Sequence, residues 1–232
     1  MSSATLPGNM NVLAGTAPDQ TSEGLLSINL DAFHDAQLTT APFSFVIVPG
    51  FVNEAAHQAI SADFPEISHA GSFPLSTLNY GAAFQTFMDE IQSSEMTASV
   101  SEKFGIDLSH SPTMVTVRGI SREADGRIHS DSRTKLITAL IYMNDAWESP
   151  TGRLRLLRSP DRLDDIVAEV PPERGTLLIF KNVPNAWHGF EPFSGRRRVI
   201  QLNWVTDKHV VEREHKRHRR SAFFKRLFAR SS

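Results

Sequence analysis

The feature that most restricts the fold of this chain is the run of short segments between Thr113 and Val205, apolar or alternating in polarity and divided by turn residues. Met114-Val-Thr-Val-Arg118 alternates, Lys135 to Asn144 is a longer apolar stretch, and Gly152-Arg-Leu-Arg-Leu-Leu157 alternates again. Gly175-Thr-Leu-Leu-Ile-Phe180, Trp187 to Phe193 and Arg198 to Val205 complete the series. Strands at this spacing predict a β-sandwich or barrel rather than alternating β/α units. Helical signals lie upstream. Phe43 to Val48 reads as a strand closed by Pro49-Gly50, Asn53 as the N-cap of a helix through about Ile60, and Ala83 to Phe104 as a second helix stopped by Gly105. The expected fold is mainly β with flanking helices packed outside a jelly-roll core.

Composition narrows the class further. The 232 residues are 40% hydrophobic and 22% charged, as in a globular protein, and include no cysteine. Disulfide frameworks, thiolate zinc sites and cysteine nucleophiles are thereby excluded. No stretch approaches the roughly 18 apolar residues of a membrane span, and no basic region precedes an apolar run at the N-terminus, so a cytoplasmic protein is expected. Residues 1–29, rich in Ser, Gly, Thr, Ala and Pro, read as a flexible arm, 30–206 as the folded domain (helical flank 50–105, β core 112–206), and 207–232 as a basic tail. In the tail Phe223, Phe224, Leu227 and Phe228 share one helical face. That face suits packing on its own domain or lying on an anionic membrane surface. No nucleic-acid recognition motif occurs.

The chemistry concentrates in His129-Ser130-Asp131, in His188, and in Arg198 ten residues beyond it. Side chains two apart on a strand share a face, so His129 and Asp131 aim an imidazole and a carboxylate at one point. A second imidazole from His188 completes two nitrogens and one oxygen, the facial triad of non-haem Fe(II) oxygenases, which leaves adjacent coordination positions open. A guanidinium nearby grips the far carboxylate of a co-substrate. Parity places Thr138, Leu140 and Tyr142 on one face of their strand, and Arg198, Ile200, Leu202 and Trp204 on one face of theirs. With Arg198 toward the cavity, Trp204 becomes an aromatic wall there. Leu154 and Leu156 are expected inside, Arg153 and Arg155 outside, and Arg196 and Arg197 in a solvent-facing turn. Arg118, on the strand entering the site, is a candidate for an anionic substrate, for the inner carboxylate of a co-substrate, or for a surface ion pair. His34, His57, His69 and His110 lack partners at ligand spacing.

The stretch from about Met114 to Val205 resembles the 2-oxoglutarate- and Fe(II)-dependent oxygenases, in particular their prolyl 4-hydroxylase-like branch. The resemblance is carried, in order, by His129-Ser-Asp131, Leu140-Ile-Tyr-Met-Asn-Asp-Ala-Trp147, the Gly-x-Leu-x-Leu element at Gly152 to Leu156, Pro172-Glu-Arg-Gly-Thr-Leu-Leu-Ile-Phe180, His188, and Arg198 with Trp204. The family's usual Gly-Gly pair before the Leu-x-Leu element is Thr151-Gly152 here. The resemblance implies a double-stranded β-helix (jelly-roll, cupin-like) core, with His129, Asp131 and His188 as iron ligands. It implies that Arg198 and Tyr142 hold the 5-carboxylate of 2-oxoglutarate, with Thr138, Leu154 and Trp204 around the co-substrate. The implied cofactors are Fe(II), 2-oxoglutarate and O2, with ascorbate as a stimulant. The implied activity is hydroxylation with decarboxylation of 2-oxoglutarate to succinate and CO2. Asp131 points to hydroxylation over halogenation, since relatives with Gly or Ala there leave room for halide. The primary substrate stays open among a protein side chain, an amino acid, and a sugar or lipid-linked intermediate. Two other readings also stand: a non-catalytic jelly-roll that binds metal or ligand as a sensor or scaffold, and a cupin-like metalloenzyme that does not use 2-oxoglutarate.

Overall fold

The computed structural model describes residues 26–212. The expected arm up to residue 25 and the amphipathic tail from residue 213, including its phenylalanine face, lie outside the described residues. The elements are α1 (Leu30–Asp35), β1 (Phe45–Val48), α2 (Glu54–Ala62), β2 (Phe73–Pro74), α3 (Ala82–Ile91), α4 (Ser94–Phe104), β3 (Thr113–Ser121), β4 (Lys135–Tyr142), β5 (Leu154–Leu157), β6 (Ile166–Val170), β7 (Leu177–Lys181), β8 (Trp187–Gly189) and β9 (Gly195–Val205). No helix among the described residues is long and apolar enough to cross a membrane.

The strands form a six-stranded sheet in the order β1-β7-β4-β9-β3-β2 and a three-stranded sheet in the order β6-β5-β8, all pairings antiparallel. The central strands β4 and β9 are covered on both faces, which is why β4 reads as a nearly unbroken apolar run. Ile137, Ala139, Ile141, Ile200, Leu202 and Trp204 join Phe84, Phe87, Met88 and Val100 in a core between the large sheet and the helices. Tyr142, Leu178, Phe180 and Val199 meet Leu154, Leu156 and Phe190 in a second core between the two sheets. Each fully buried Leu or Phe contributes roughly 1.5–3 kcal/mol. Both faces of the large sheet therefore stabilise the domain. Leu154 and Leu156 point inward as parity required, and Arg155 points outward to ion pairs with Glu169 and Glu191 at 2.6 and 2.7 Å.

Several local expectations are corrected. The helix expected over 83–104 is two helices. Ser93 adopts extended geometry (φ −64°, ψ 159°), and its hydroxyl accepts from the Met96 amide at 3.1 Å, so it breaks one helix and caps the next. Gly105, at φ 60°, does end α4 in the left-handed conformation. Asn53 occupies the N-cap position of α2, but its side chain donates to the Leu26 carbonyl at 2.7 Å instead of capping. It thereby ties down the start of the described chain, where the Ser27 amide also donates to Glu90 at 2.8 Å. Strand β6, with its weakly apolar Ile-Val-Ala-Glu-Val pattern, and the two-residue β2 were not expected from the sequence.

Candidate metal centre and cavity

His129 and His188 lie directly opposite each other in an isolated antiparallel bridge that extends the small sheet. Each amide donates to the other's carbonyl at 3.0 Å. Residues opposed in this way project to the same face, and the two rings stand 4.3 Å apart, centroid to centroid. Close approach of the backbone maintains the pairing. A methyl on Gly126 would fall 2.2 Å from the Phe190 carbonyl oxygen, so only glycine lets the segment leading to His129 lie against the residue after β8. Asp131, two residues on, faces the same point. One ligand atom from each of His129, Asp131 and His188 lies within 4.8 Å of the others.

The surroundings fix the chemical state of this triad. His129 Nδ1 lies 2.9 Å from the Arg127 carbonyl oxygen and His188 Nδ1 lies 3.0 Å from that of Ala186. A carbonyl only accepts, so both Nδ1 atoms carry a proton and Nε2 is the nitrogen each ring leaves for a metal. Burial, then the neighbouring His129, pulls His188 down to about 4, which keeps it neutral and able to bind metal. Burial disfavours the Asp131 carboxylate. That is outweighed by Lys135, His188 and the Thr138 hydroxyl, which together hold it below the usual range. Lys135 Nζ sits 2.8 Å from Asp131 Oδ1, and Thr138 donates to Oδ2 at 2.7 Å while accepting from Asn182 at 2.9 Å. Two imidazole nitrogens and one ionised oxygen, each oriented by a second group, suit a divalent first-row metal with open positions.

The triad opens into a cavity of about 400 Å³ between the two sheets. The register of β4 against β9 decides which faces line it: Thr138 pairs with Asn203, Leu140 with Gln201 and Tyr142 with Val199. Thr138, Leu140 and Leu154 do line the cavity, as expected. Arg198 and Trp204 do not. They share a strand face, as the parity required, but that face packs on the helices. Arg198 Nη1 donates to the Ser61 carbonyl at 3.1 Å with its guanidinium 4.6 Å over the Phe64 ring, and Trp204 donates to Thr97 at 3.2 Å. The guanidinium that β9 turns into the cavity is that of Arg197, which the sequence places in a solvent-facing turn but which is 6% exposed. The signal for this was present: Ile200, Leu202 and Trp204 form the apolar side of β9 that a helical layer covers, whereas Val199, Gln201 and Asn203 form the side that suits a polar cavity.

Arg197 is held from several sides. Its Nε donates to the Gly152 carbonyl at 2.9 Å, and its guanidinium lies 4.3 Å over the Phe190 ring and 5.5 Å over that of Tyr142. Gly152 has φ +80°, and a methyl there would fall 2.7 Å from the Trp147 ring, so the Thr151-Gly152 turn retains glycine at the position that needs it. Burial, only partly offset by Arg197, pushes the Tyr142 phenol up to about 12, leaving a neutral donor. Two buried polar atoms on this side, Arg197 Nη2 and Tyr142 Oη, have no hydrogen-bond partner among the described residues, and Asn203 Nδ2, opposite Thr138 at the metal end of the cavity, has none either. Orphaned donors beside a buried guanidinium fit the oxygens of an anionic ligand. Arg118 lines the cavity as well. Sequence reasoning missed Lys135 and Asn203 along with Arg197.

Residues 116–206 match the family model of the 2OG-Fe(II) oxygenase superfamily. No curated protein matches the chain by sequence. Among solved structures, a Pseudomonas putida prolyl-4-hydroxylase is similar with a TM-score of 0.51 and 14% identity, over 77% of this chain and 97% of its own. The viral collagen prolyl hydroxylase of Paramecium Bursaria Chlorella virus-1, solved with 2-oxoglutarate, scores 0.49 at 14% identity over 70% and 96% of the two chains. HygX from Streptomyces hygroscopicus, with nickel and 2-oxoglutarate bound, scores 0.48 at 12% identity over 69% and 81%. The first of these likenesses places the two sheets in the jelly-roll fold.

Proposed function

We propose, from the match of residues 116–206 to the 2OG-Fe(II) oxygenase superfamily, that this chain is an Fe(II)- and 2-oxoglutarate-dependent dioxygenase that hydroxylates a primary substrate. The superfamily uses Fe(II), 2-oxoglutarate and O2. The observation that carries the reading is the triad itself, with three ligand atoms within 4.8 Å and both imidazoles locked in the metal-binding tautomer by their own backbone.

In this reading His129 and His188, through Nε2, and the Asp131 carboxylate hold the metal. When bound, the metal supplies oxidative decarboxylation of 2-oxoglutarate to succinate and CO2, coupled to oxygen insertion into a C–H bond. The chain's own work is orientation. Arg197, anchored by the Gly152 carbonyl and flanked by the neutral Tyr142 phenol, takes the distal carboxylate of 2-oxoglutarate. Leu140, Leu154 and Val199 line the cavity with apolar surface that keeps bulk water from the co-substrate. Thr138 holds Asp131 in place.

The test is succinate formation from 2-oxoglutarate by anaerobically purified protein given Fe(II), ascorbate and O2, paired with calorimetric titration of 2-oxoglutarate into the Mn(II)-loaded protein. Asp131→Ala is expected to abolish succinate formation. Arg197→Met is expected to weaken 2-oxoglutarate binding about a hundredfold, the scale of losing one partner of a buried charge pair. Arg198→Met is expected to leave binding within about threefold. Absence of 2-oxoglutarate binding by the wild-type protein would refute the reading.

A further inference from the structure

The cavity holds a cation that the preceding reading leaves without a role. Its charged lining consists of Arg118, Lys135 and Arg197 against Asp125 and Asp131. Lys135 is paired with Asp131 at 2.8 Å, and Asp125 is paired with Arg122 at 3.3 Å. Arg197 is committed to the distal carboxylate of the co-substrate. A divalent metal and a doubly negative co-substrate enter together without changing the net charge, so the cavity stays positive and one guanidinium is left with neither a carboxylate nor a co-substrate group of its own. That guanidinium is Arg118. It makes no hydrogen bond or ion pair of contact distance with any described residue, and Asp125 and Asp131 act on it only at longer range.

Its place in the fold distinguishes it from Arg197. Arg118 lies on β3 opposite Val199 of β9, which is itself opposite Tyr142 of β4, so Arg118 and Tyr142 stand two strands apart on one rung. Strands are spaced about 4.8 Å, so the two backbones are on the order of 10 Å apart. Both guanidiniums feel Asp125, and Arg118 acts on Arg197, but Tyr142 acts on Arg197 alone and the metal-side Asp131 on Arg118 alone. The cavity therefore presents two neighbouring cations, of which Arg197 lies against the phenol and Arg118 is the one that senses the metal-side carboxylate. An arginine held largely out of water without a counter-ion is costly unless an anion arrives to pair with it. We propose that the primary substrate carries an oxyanion, a carboxylate or a phosphate, and that Arg118 binds it beside the metal. This rests on the assignment of the cavity to Fe(II) and 2-oxoglutarate. It makes the substrate an anionic molecule, or an anionic group close to the hydroxylated carbon, and Arg118 a specificity-determining residue.

The experiment uses the full chain, loaded with Mn(II) at less than one equivalent and saturated with 2-oxoglutarate. Carbon-13-labelled acetate and inorganic phosphate serve as separate probes, read by the paramagnetic enhancement of their NMR relaxation. The expected result is enhancement of at least one probe by the wild-type protein, its loss in Arg118→Gln, and partial retention in Arg118→Lys. The probe that responds tells carboxylate from phosphate. The calorimetric Kd for 2-oxoglutarate should change less than about threefold in Arg118→Gln. Three results overturn the proposal: no enhancement of either probe by wild type, equal enhancement by wild type and Arg118→Gln, or a 2-oxoglutarate Kd raised about tenfold or more in Arg118→Gln, which would place Arg118 on the co-substrate. If wild type binds no 2-oxoglutarate, the functional reading beneath the proposal fails, and that result is separate from these three.

Discussion

At the scale of single residues, the site depends on keeping groups in one protonation state. His188 in the folded protein sits at about 4, below the ordinary 6.5, because burial and His129 disfavour its charged form. Above pH 6.5 the folded and unfolded chains are both neutral there. As pH falls through that value the unfolded chain takes a proton that the folded chain refuses. Metal-free protein is therefore expected to lose on the order of 3 kcal/mol between about pH 6.5 and 4, with no further loss from this group below. Urea unfolding across that window, compared with His188→Gln, checks it: the variant should lack this part of the slope. The ligand residues themselves were legible in the sequence, because a two-residue spacing on a strand fixes a shared face. The choice between Arg197 and Arg198 was not. Periodicity says which residues share a face but not which face the neighbours cover, and that depends on the pairing of Asn203 with Thr138 and of Val199 with Tyr142.

At the scale of elements, the strands from β3 to β9, β6 apart, were legible because they carry unbroken apolar or alternating runs. The weak spots lay where side chains compete with the regular pattern. The apolar periodicity from Ala83 to Phe104 continues across Ser93, so the break between α3 and α4 shows only as a serine whose hydroxyl takes the Met96 amide. Ser93→Ala should remove that cap and cost about 1 kcal/mol, seen as a lower urea midpoint with unchanged slope. Strand β6 escaped notice because it is an edge strand with a half-buried surface, and its pairing to β5 is irregular between Leu156 and Leu157. Strand β9 divides its labour by face, with Arg197, Val199, Gln201 and Asn203 toward the cavity and Arg198, Ile200, Leu202 and Trp204 toward the helices.

At the scale of the whole molecule, that division separates stability from binding. Trp204 is fully buried between the large sheet and α4, so Trp204→Ala should cost about 3–5 kcal/mol of unfolding free energy. The same change should leave the 2-oxoglutarate Kd of the folded protein nearly unaltered, since its ring is on the far side of the sheet. Denaturation and calorimetry on one preparation would show both. The jelly-roll class was foreseeable from the spacing of the strands, whereas the polar cavity at its centre emerged only from how the two sheets stack. The isolated bridge between His129 and His188 has one more consequence. The two hydrogen bonds between His129 and His188 and one from the Phe190 amide to the Gly126 carbonyl close the small sheet at that end, and Arg127 and Arg133, both exposed, flank the bridging segment. An ion shared by the two imidazoles and Asp131 acts as a clasp across this seam. Trypsin should nick the apo chain after Arg127 or Arg133, and Mn(II) should slow that cleavage in wild type but not in Asp131→Ala, making susceptibility to digestion a direct gauge of metal occupancy.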